Sequence, residues 1–210
     1  MPHSHRHSSH RKAADKSIED RAGTVRIIGG RWRGRKLRFP ALPGLRPTGD
    51  RLRETLFNWL QFEVPGACCL DLFAGSGALG LEAASREAAR VILIEVDPTA
   101  VRALRANCAR LGADGVEVID TDALAWLARP APAAESCSIV FLDPPFAGDL
   151  LGRAIPLLEA SGRLAATAWI YLETAREQAL AELPPNWHLH REKCAGDVCC
   201  RLFRRVAGAV

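Results

Sequence analysis

Asp143-Pro144-Pro145-Phe146 sets a carboxylate, two rigid residues and an aromatic ring directly after the apolar run 138–142. Proline fixes its own backbone and has no amide donor, so the Pro144 carbonyl is held rigidly and is not tied up by a local turn. An amino group on a planar base offers two N–H donors, and the Asp143 carboxylate and Pro144 carbonyl can accept both. The nitrogen lone pair then faces outward, toward an electrophile. Phe146 offers a flat face for stacking a base, worth about 1–3 kcal/mol. The chemistry implied is in-line methyl transfer to an exocyclic amine, driven mainly by positioning. It needs no strong base, because the amine acidifies once it bonds to carbon.

The donor side of such a reaction is written upstream. Asp71-Leu72-Phe73-Ala74-Gly75-Ser76-Gly77 sits where an apolar run passes into a helical pattern. Its glycines let backbone approach a ligand closely, and doubly wound α/β sheets bind ligands at the carboxyl ends of their strands. Gly75-x-Gly77-x-x-Gly80 formally matches a dinucleotide fingerprint. Asp71, however, repels a pyrophosphate and attracts the amine and sulfonium of S-adenosylmethionine. Glu95, followed by Val96, closes the next strand, where an acid holds ribose hydroxyls. Asp122, followed by Ala123, can accept from an adenine amino group. These acids at three successive strand ends, with Phe73, Ala74 and Ser76 between them, make S-adenosyl-L-methionine the expected cofactor rather than a nicotinamide.

Elements able to hold these ends in a row alternate along the chain. The spacing predicts strands over 67–72, 91–94, 116–119 and 138–142, with helices over 81–85, 97–111, 124–127 and 150–160 between and after them. Asp97-Pro98 opens the second of those helices as cap and first-turn proline, and Gly112 is placed to end it. A strand over 169–172, a helix over 174–183 and a hairpin over 188–204, turning at Gly196-Asp197, complete the pattern. Alternation of this kind builds a mostly parallel sheet with helices on both faces. Ahead of it, 25–39 reads as short β structure turning at Gly29-Gly30, 40–47 as a loop, and Leu52, Leu56, Trp59 and Leu60 as a helix stripe. The expected division is a disordered His-rich tail over 1–23, a β-hairpin extension over 24–47 and a catalytic domain over 48–210.

Composition narrows the partners. Between Arg21 and Arg53 there are ten basic residues (Arg21, Arg26, Arg31, Arg33, Arg35, Lys36, Arg38, Arg46, Arg51 and Arg53) and a single acid, Asp50, in a chain whose net charge is only +4. That one-sided stretch reads as a phosphate-binding face with salt-dependent affinity; Arg31, Arg33, Arg35, Lys36, Arg51 and Arg53 are its candidate RNA contacts. The seven cysteines include no Cys-x-x-Cys pair, so reduced thiols and no metal are expected. No apolar stretch is long enough to span a bilayer, and the polar start has no signal-peptide core. A cytoplasmic protein without membrane contact is expected.

The two loops resemble those of the amino-methyltransferases that modify DNA adenine and cytosine and several RNA guanines. The first half narrows the likeness. Arg26-Ile27-Ile28-Gly29-Gly30-Arg31-Trp32-Arg33-Gly34-Arg35-Lys36-Leu37, Leu45-Arg46-Pro47-Thr48 and Arg53-Glu54-Thr55-Leu56-Phe57-Asn58-Trp59-Leu60 are similar to the RsmD-type 16S rRNA guanine-N2 methyltransferase family. Ile170-Tyr171-Leu172-Glu173 and the closing hairpin fit as well, so the likeness runs from about Val25 to the end. It implies a Rossmann-like class I methyltransferase with a seven-stranded sheet, an antiparallel C-terminal hairpin and a small N-terminal β-hairpin extension. It also implies methylation of one guanine in 16S rRNA of the small ribosomal subunit particle, and places Arg46, Pro47 and Thr48 beside cofactor and active site. A monomer is expected. The chain departs from the family pattern at Glu87, where a glycine is usual, and in its His-rich tail. Two rivals use the same residues differently: a DNA adenine-N6 methyltransferase, and a non-catalytic RNA-binding ribosome-assembly factor.

Overall fold

A computed structural model describes residues 23–41, 48–131, 136–145, 148–180 and 182–206. The expected tail up to residue 22, and the predicted site residues Arg46 and Phe146, lie outside the described residues. Strands β1 (Gly23–Arg26) and β2 (Lys36–Phe39) form an antiparallel pair of their own. After it come α1 (Asp50–Trp59), β3 (Cys68–Asp71), α2 (Gly80–Ser85), β4 (Arg90–Glu95), α3 (Pro98–Leu111), β5 (Val116–Asp120) and α4 (Ala123–Leu127). β6 (Cys137–Leu142), α5 (Leu150–Ala160), β7 (Leu164–Ala175), β8 (Trp187–Ala195) and β9 (Val198–Val206) complete the order.

Seven strands form one sheet in the order β5-β4-β3-β6-β7-β9-β8. The first five are parallel, and β9 runs antiparallel between β7 and β8. Side chains alternate across a strand, and here both faces are covered. Leu70, Val140, Leu142, Ile170 and Leu172 pack with α4 and α5, whereas Cys69, Ile139, Phe141 and Tyr171 pack with α1, α2, α3 and the N-terminal pair. α3 forms as its ends predict. Asp97 accepts from the Thr99 and Ala100 amides at 2.8 and 2.9 Å, and Gly112 closes the helix in the left-handed region at φ 63°.

Three expectations are corrected. The segment 174–183 does not start a helix. β7 continues through Thr174 and Ala175, whose register partners on β9 are Cys199 and Val198, and a turn follows. Pairing with β9 outweighs the helical propensity of Ala175-Arg176-Glu177-Gln178. The N-terminal pair is not joined by a two-residue turn at Gly29-Gly30. Residues 27–35 form a longer loop in which Trp32 is buried rather than on a strand. Cys194 and Cys199, expected as thiols, are joined by a disulfide, because the β8–β9 register sets them opposite with Cα atoms 4.0 Å apart.

Glu87 ends α2 at φ 71°, the position where the family pattern has glycine. An L-residue costs about 1–2 kcal/mol in that region, part of which glycine loses again through its freer unfolded chain. Glu87→Gly is expected to stabilise the fold by about 0.5–1 kcal/mol, seen as a raised thermal midpoint. A lowered midpoint would contradict this account.

Candidate active site

Asp71 ends β3 only 1% exposed. Past it, Gly75 and Gly77 take φ 50° and 77°, which turns the loop back under α2. A Cβ on Gly77 would meet Leu104 and Leu81 at 2.7 and 2.8 Å. The turn brings the Gly80 amide to Asp71 Oδ2 at 3.1 Å, and Oδ1 has no hydrogen-bond partner. Burial raises the Asp71 carboxyl to about 7; the Gly80 and Phe73 amides hold it down, and the Glu95 charge raises it. An orphaned, buried carboxylate oxygen beside a glycine loop suits an incoming cation, so the residues fit the sulfonium cofactor.

Glu95 is tied to backbone. Its Oε2 accepts from the Gly75 amide at 2.8 Å, and its Oε1 from the amides of Val96 and Asp97 at 2.9 and 2.8 Å. It therefore pins the loop to the end of β4 and keeps lone-pair capacity on Oε2 for a hydroxyl. Val96 beside it is 61% exposed, an apolar face at the strand end, and Phe73, Ala74 and Ser76 form the loop wall. Asp122 caps α4, its Oδ1 accepting from the Ala125 amide at 2.8 Å, with Ala123 buried beneath. One of its oxygens is thus structural.

At the end of β6, Asp143 Oδ2 accepts from the Thr48 hydroxyl at 2.9 Å. Pro144 is buried and Pro145 exposed. β6 pairs with β7 at Leu142↔Leu172, so one step on Asp143 lies beside Glu173. Glu173 is 5% exposed, and its Oε2 accepts from the Tyr171 hydroxyl at 2.7 Å. Beneath them, Phe141 stands 6.0 Å from Phe57 and 6.4 Å from Tyr171, a tilted aromatic floor. Burial raises the Asp143 carboxyl well above the usual range; the charges of Glu173 and Asp71 add to this and the Thr48 hydroxyl opposes it. Burial likewise raises Glu173, against its bonds to Tyr171 and Thr48. Among the described residues, no Lys or Arg forms an ion pair with Asp71, Asp143 or Glu173. Glu173 and Tyr171 went unassigned in the sequence, although an acid ending a fifth apolar run was the available signal.

The basic face is corrected at one position. Arg31, Arg33, Arg35, Lys36 and Arg51 are exposed, but Arg53 is 0% exposed and cannot touch RNA. Its guanidinium donates to the carbonyls of Thr48 at 3.1 Å and Arg26 at 2.9 Å, and to Asp50 at 2.6 Å. It also lies 3.6 Å from Glu82. Glu82, fully buried, accepts from the Ile28 and Gly29 amides at 2.7 and 2.8 Å and from Arg86. Ser85 receives the Trp32 amide at 3.0 Å and donates to the Gly29 carbonyl at 2.6 Å. Gly30, at φ 72°, permits this contact, since a Cβ there would fall 1.9 Å from the Ser85 carbonyl oxygen. These bonds dock the N-terminal pair on α2. They leave an open groove, lined by Arg26, Lys36, Phe39, Thr48 and Asp50, leading toward the hydroxyl that holds Asp143.

Residues 25–204 match the family described as Conserved hypothetical protein 95. The chain is 53% identical over 186 residues to Ribosomal RNA small subunit methyltransferase D of Escherichia coli strain K12, covering 89% of this chain and 92% of that one. This chain belongs to that family. The Haemophilus influenzae protein of the same name is 46% identical over 184 residues, covering 87% and 94%. The solved structure of yhhF from Escherichia coli superposes with a TM-score of 0.81 at 49% identity, covering 89% of this chain and all of that one. The sheet, the loop after β3 and the family together make this a class I, S-adenosylmethionine-dependent methyltransferase. No helix among the described residues is long and apolar enough to cross a membrane.

Proposed function

We propose that this methyltransferase modifies the exocyclic N2 of a guanine in 16S rRNA, acting as a cytoplasmic monomer on the small ribosomal subunit particle. The observation that carries the reading is Asp143, a half-buried carboxylate oriented by Thr48 and set at the end of the strand next to β3, which carries the Asp71 loop. The bound cofactor supplies an electrophilic methyl group on a sulfonium. Asp71 and the loop 73–77 hold its charged end, Glu95 its ribose, and Asp122 with Val96 and Ala123 its adenine ring. Asp143 and the Pro144 carbonyl accept the two N–H bonds of the target amine, and that contact orients its lone pair. Phe146 would supply the flat face that stacks on the base, and the family likeness implies a role for Arg46 at the cofactor. Arg31, Arg33, Arg35, Lys36 and Arg51 hold the phosphates.

Methyl-labelled cofactor offered to 30S particles and to duplex DNA separates the readings. Label in 16S rRNA, mapped by mass spectrometry to N2-methylguanine, is expected. Label in DNA alone would favour the adenine-N6 alternative, and no label in either the non-catalytic one. Glu95→Ala should weaken cofactor binding by about 10–100-fold, the equivalent of a lost charged hydrogen bond, as calorimetry would measure. Unchanged affinity would remove Glu95 from the cofactor site.

A further inference from the structure

Resting on the guanine-N2 reading above, we infer that Glu173, held by Tyr171 beside Asp143, accepts the guanine N1–H and so selects guanine over other aminated bases. The argument begins with donors. The edge of guanine that carries N2 presents three N–H bonds, two on the amine and one on N1. Asp143 and the Pro144 carbonyl account for the amine. Asp143 Oδ2 is already engaged by Thr48 and Oδ1 faces the amine, so N1–H would have to share an oxygen that is already in use. A third acceptor gives N1–H a partner of its own, and a buried donor left unpaired costs about 1–3 kcal/mol.

Glu173 stands where that acceptor belongs. It is one strand spacing from Asp143, roughly 4.8 Å, in a register fixed by Leu142↔Leu172. Both carboxylates fall on the face shared by Phe141 and Tyr171, since each lies two residues beyond one of these rings. The Tyr171 hydroxyl occupies only Oε2 and fixes the side chain. Among the described residues this buried carboxylate has no ion pair and its donor is the Tyr171 hydroxyl, so its burial calls for a ligand with N–H donors. The neighbouring charges are acids, Asp143 and Asp71, with the Cys200 thiol and the Lys193 ammonium further along the hairpin. The sulfonium entering beside Asp71 offsets this negative charge and favours the ionised, accepting form of Glu173. Adenine and cytosine present a ring-nitrogen lone pair at the position of N1–H. Glu173 would meet that lone pair with its own, which repels those bases.

The test uses 30S particles reconstituted with the target guanine or with 2-aminopurine, which keeps the amine and lacks N1–H. The wild type is expected to prefer guanine by 100-fold or more in kcat/KM, and Glu173→Gln, whose amide can donate to a ring nitrogen, to shrink that ratio below tenfold. Tyr171→Phe, which frees Glu173 without removing it, should reduce the ratio partway and serves if the glutamine variant does not fold. A ratio unchanged in both variants, with both substrates slowed equally, would reduce Glu173 to a structural role and overturn the inference. A wild type that methylates neither particle would instead refute the guanine-N2 reading beneath it.

Discussion

Replacing Asp143 by alanine is expected to lower single-turnover methyl transfer by about 10²–10³-fold, the loss typical of a preorganised contact at a reacting centre, while cofactor affinity changes little. The asymmetry follows from position. Asp143 lies on β6, facing Thr48 and Glu173, whereas the loop that meets the cofactor follows β3 and is held by Glu95 and Gly80. Stability should move the other way. Burial raises the folded-state pKa of Asp143 above its unfolded value. Such a group contributes stability that is complete below the unfolded pKa and is lost as pH rises through the folded one. Ionising this group therefore burdens the fold, and at a pH above that range the alanine variant should melt no lower than the wild type. A variant that is inactive and also melts far below the wild type would mean that Asp143 holds the structure rather than the amine. Full-rate transfer would remove it from the reaction.

The contrast between what local sequence showed and what it hid has a physical basis. Strand ends bearing Asp71, Glu95 and Asp143 were legible because each acid falls at the end of an apolar run, within four residues of a glycine or proline. The alternation of runs and stripes then implies a parallel sheet that brings such ends together. α3 was legible to its last residue because its caps are local. Whatever depended on strand neighbours was not. Residues 174–175 carry a helical composition, yet β9 recruits them into β7. Glu173 reads as an ordinary acid until the register sets it beside Asp143. Arg53 shows the limit most clearly. Its place among other arginines suggested a solvent-facing cation, and only the docking of the N-terminal pair on α2 reveals the buried carboxylate that receives it.

That burial makes Arg53→Ala the variant with the largest expected loss of stability. Removing one member of a buried ion pair costs about 3–5 kcal/mol, here shared between Glu82, which keeps Arg86, and the buried acceptors that Arg53 serves, and for a chain of this size each kcal/mol moves the thermal midpoint by about 2–4 °C. A fall of roughly 6–20 °C is expected. Three carbonyl or carboxylate partners lose their donor at once: Thr48, Arg26 and Asp50. The damage should also reach the reaction, because the Thr48 carbonyl is anchored by Arg53 and its hydroxyl orients Asp143. A double-mutant cycle with Glu82→Gln isolates the ion pair, since glutamine keeps an acceptor for the Ile28 and Gly29 amides while discarding the charge. The two substitutions together should destabilise by less than the sum of the singles. An RNA-contacting Arg53 would give the reverse pattern, an unchanged midpoint and a weaker, less salt-sensitive complex with rRNA. Full burial of its side chain beside Glu82 makes the stability loss the expected result.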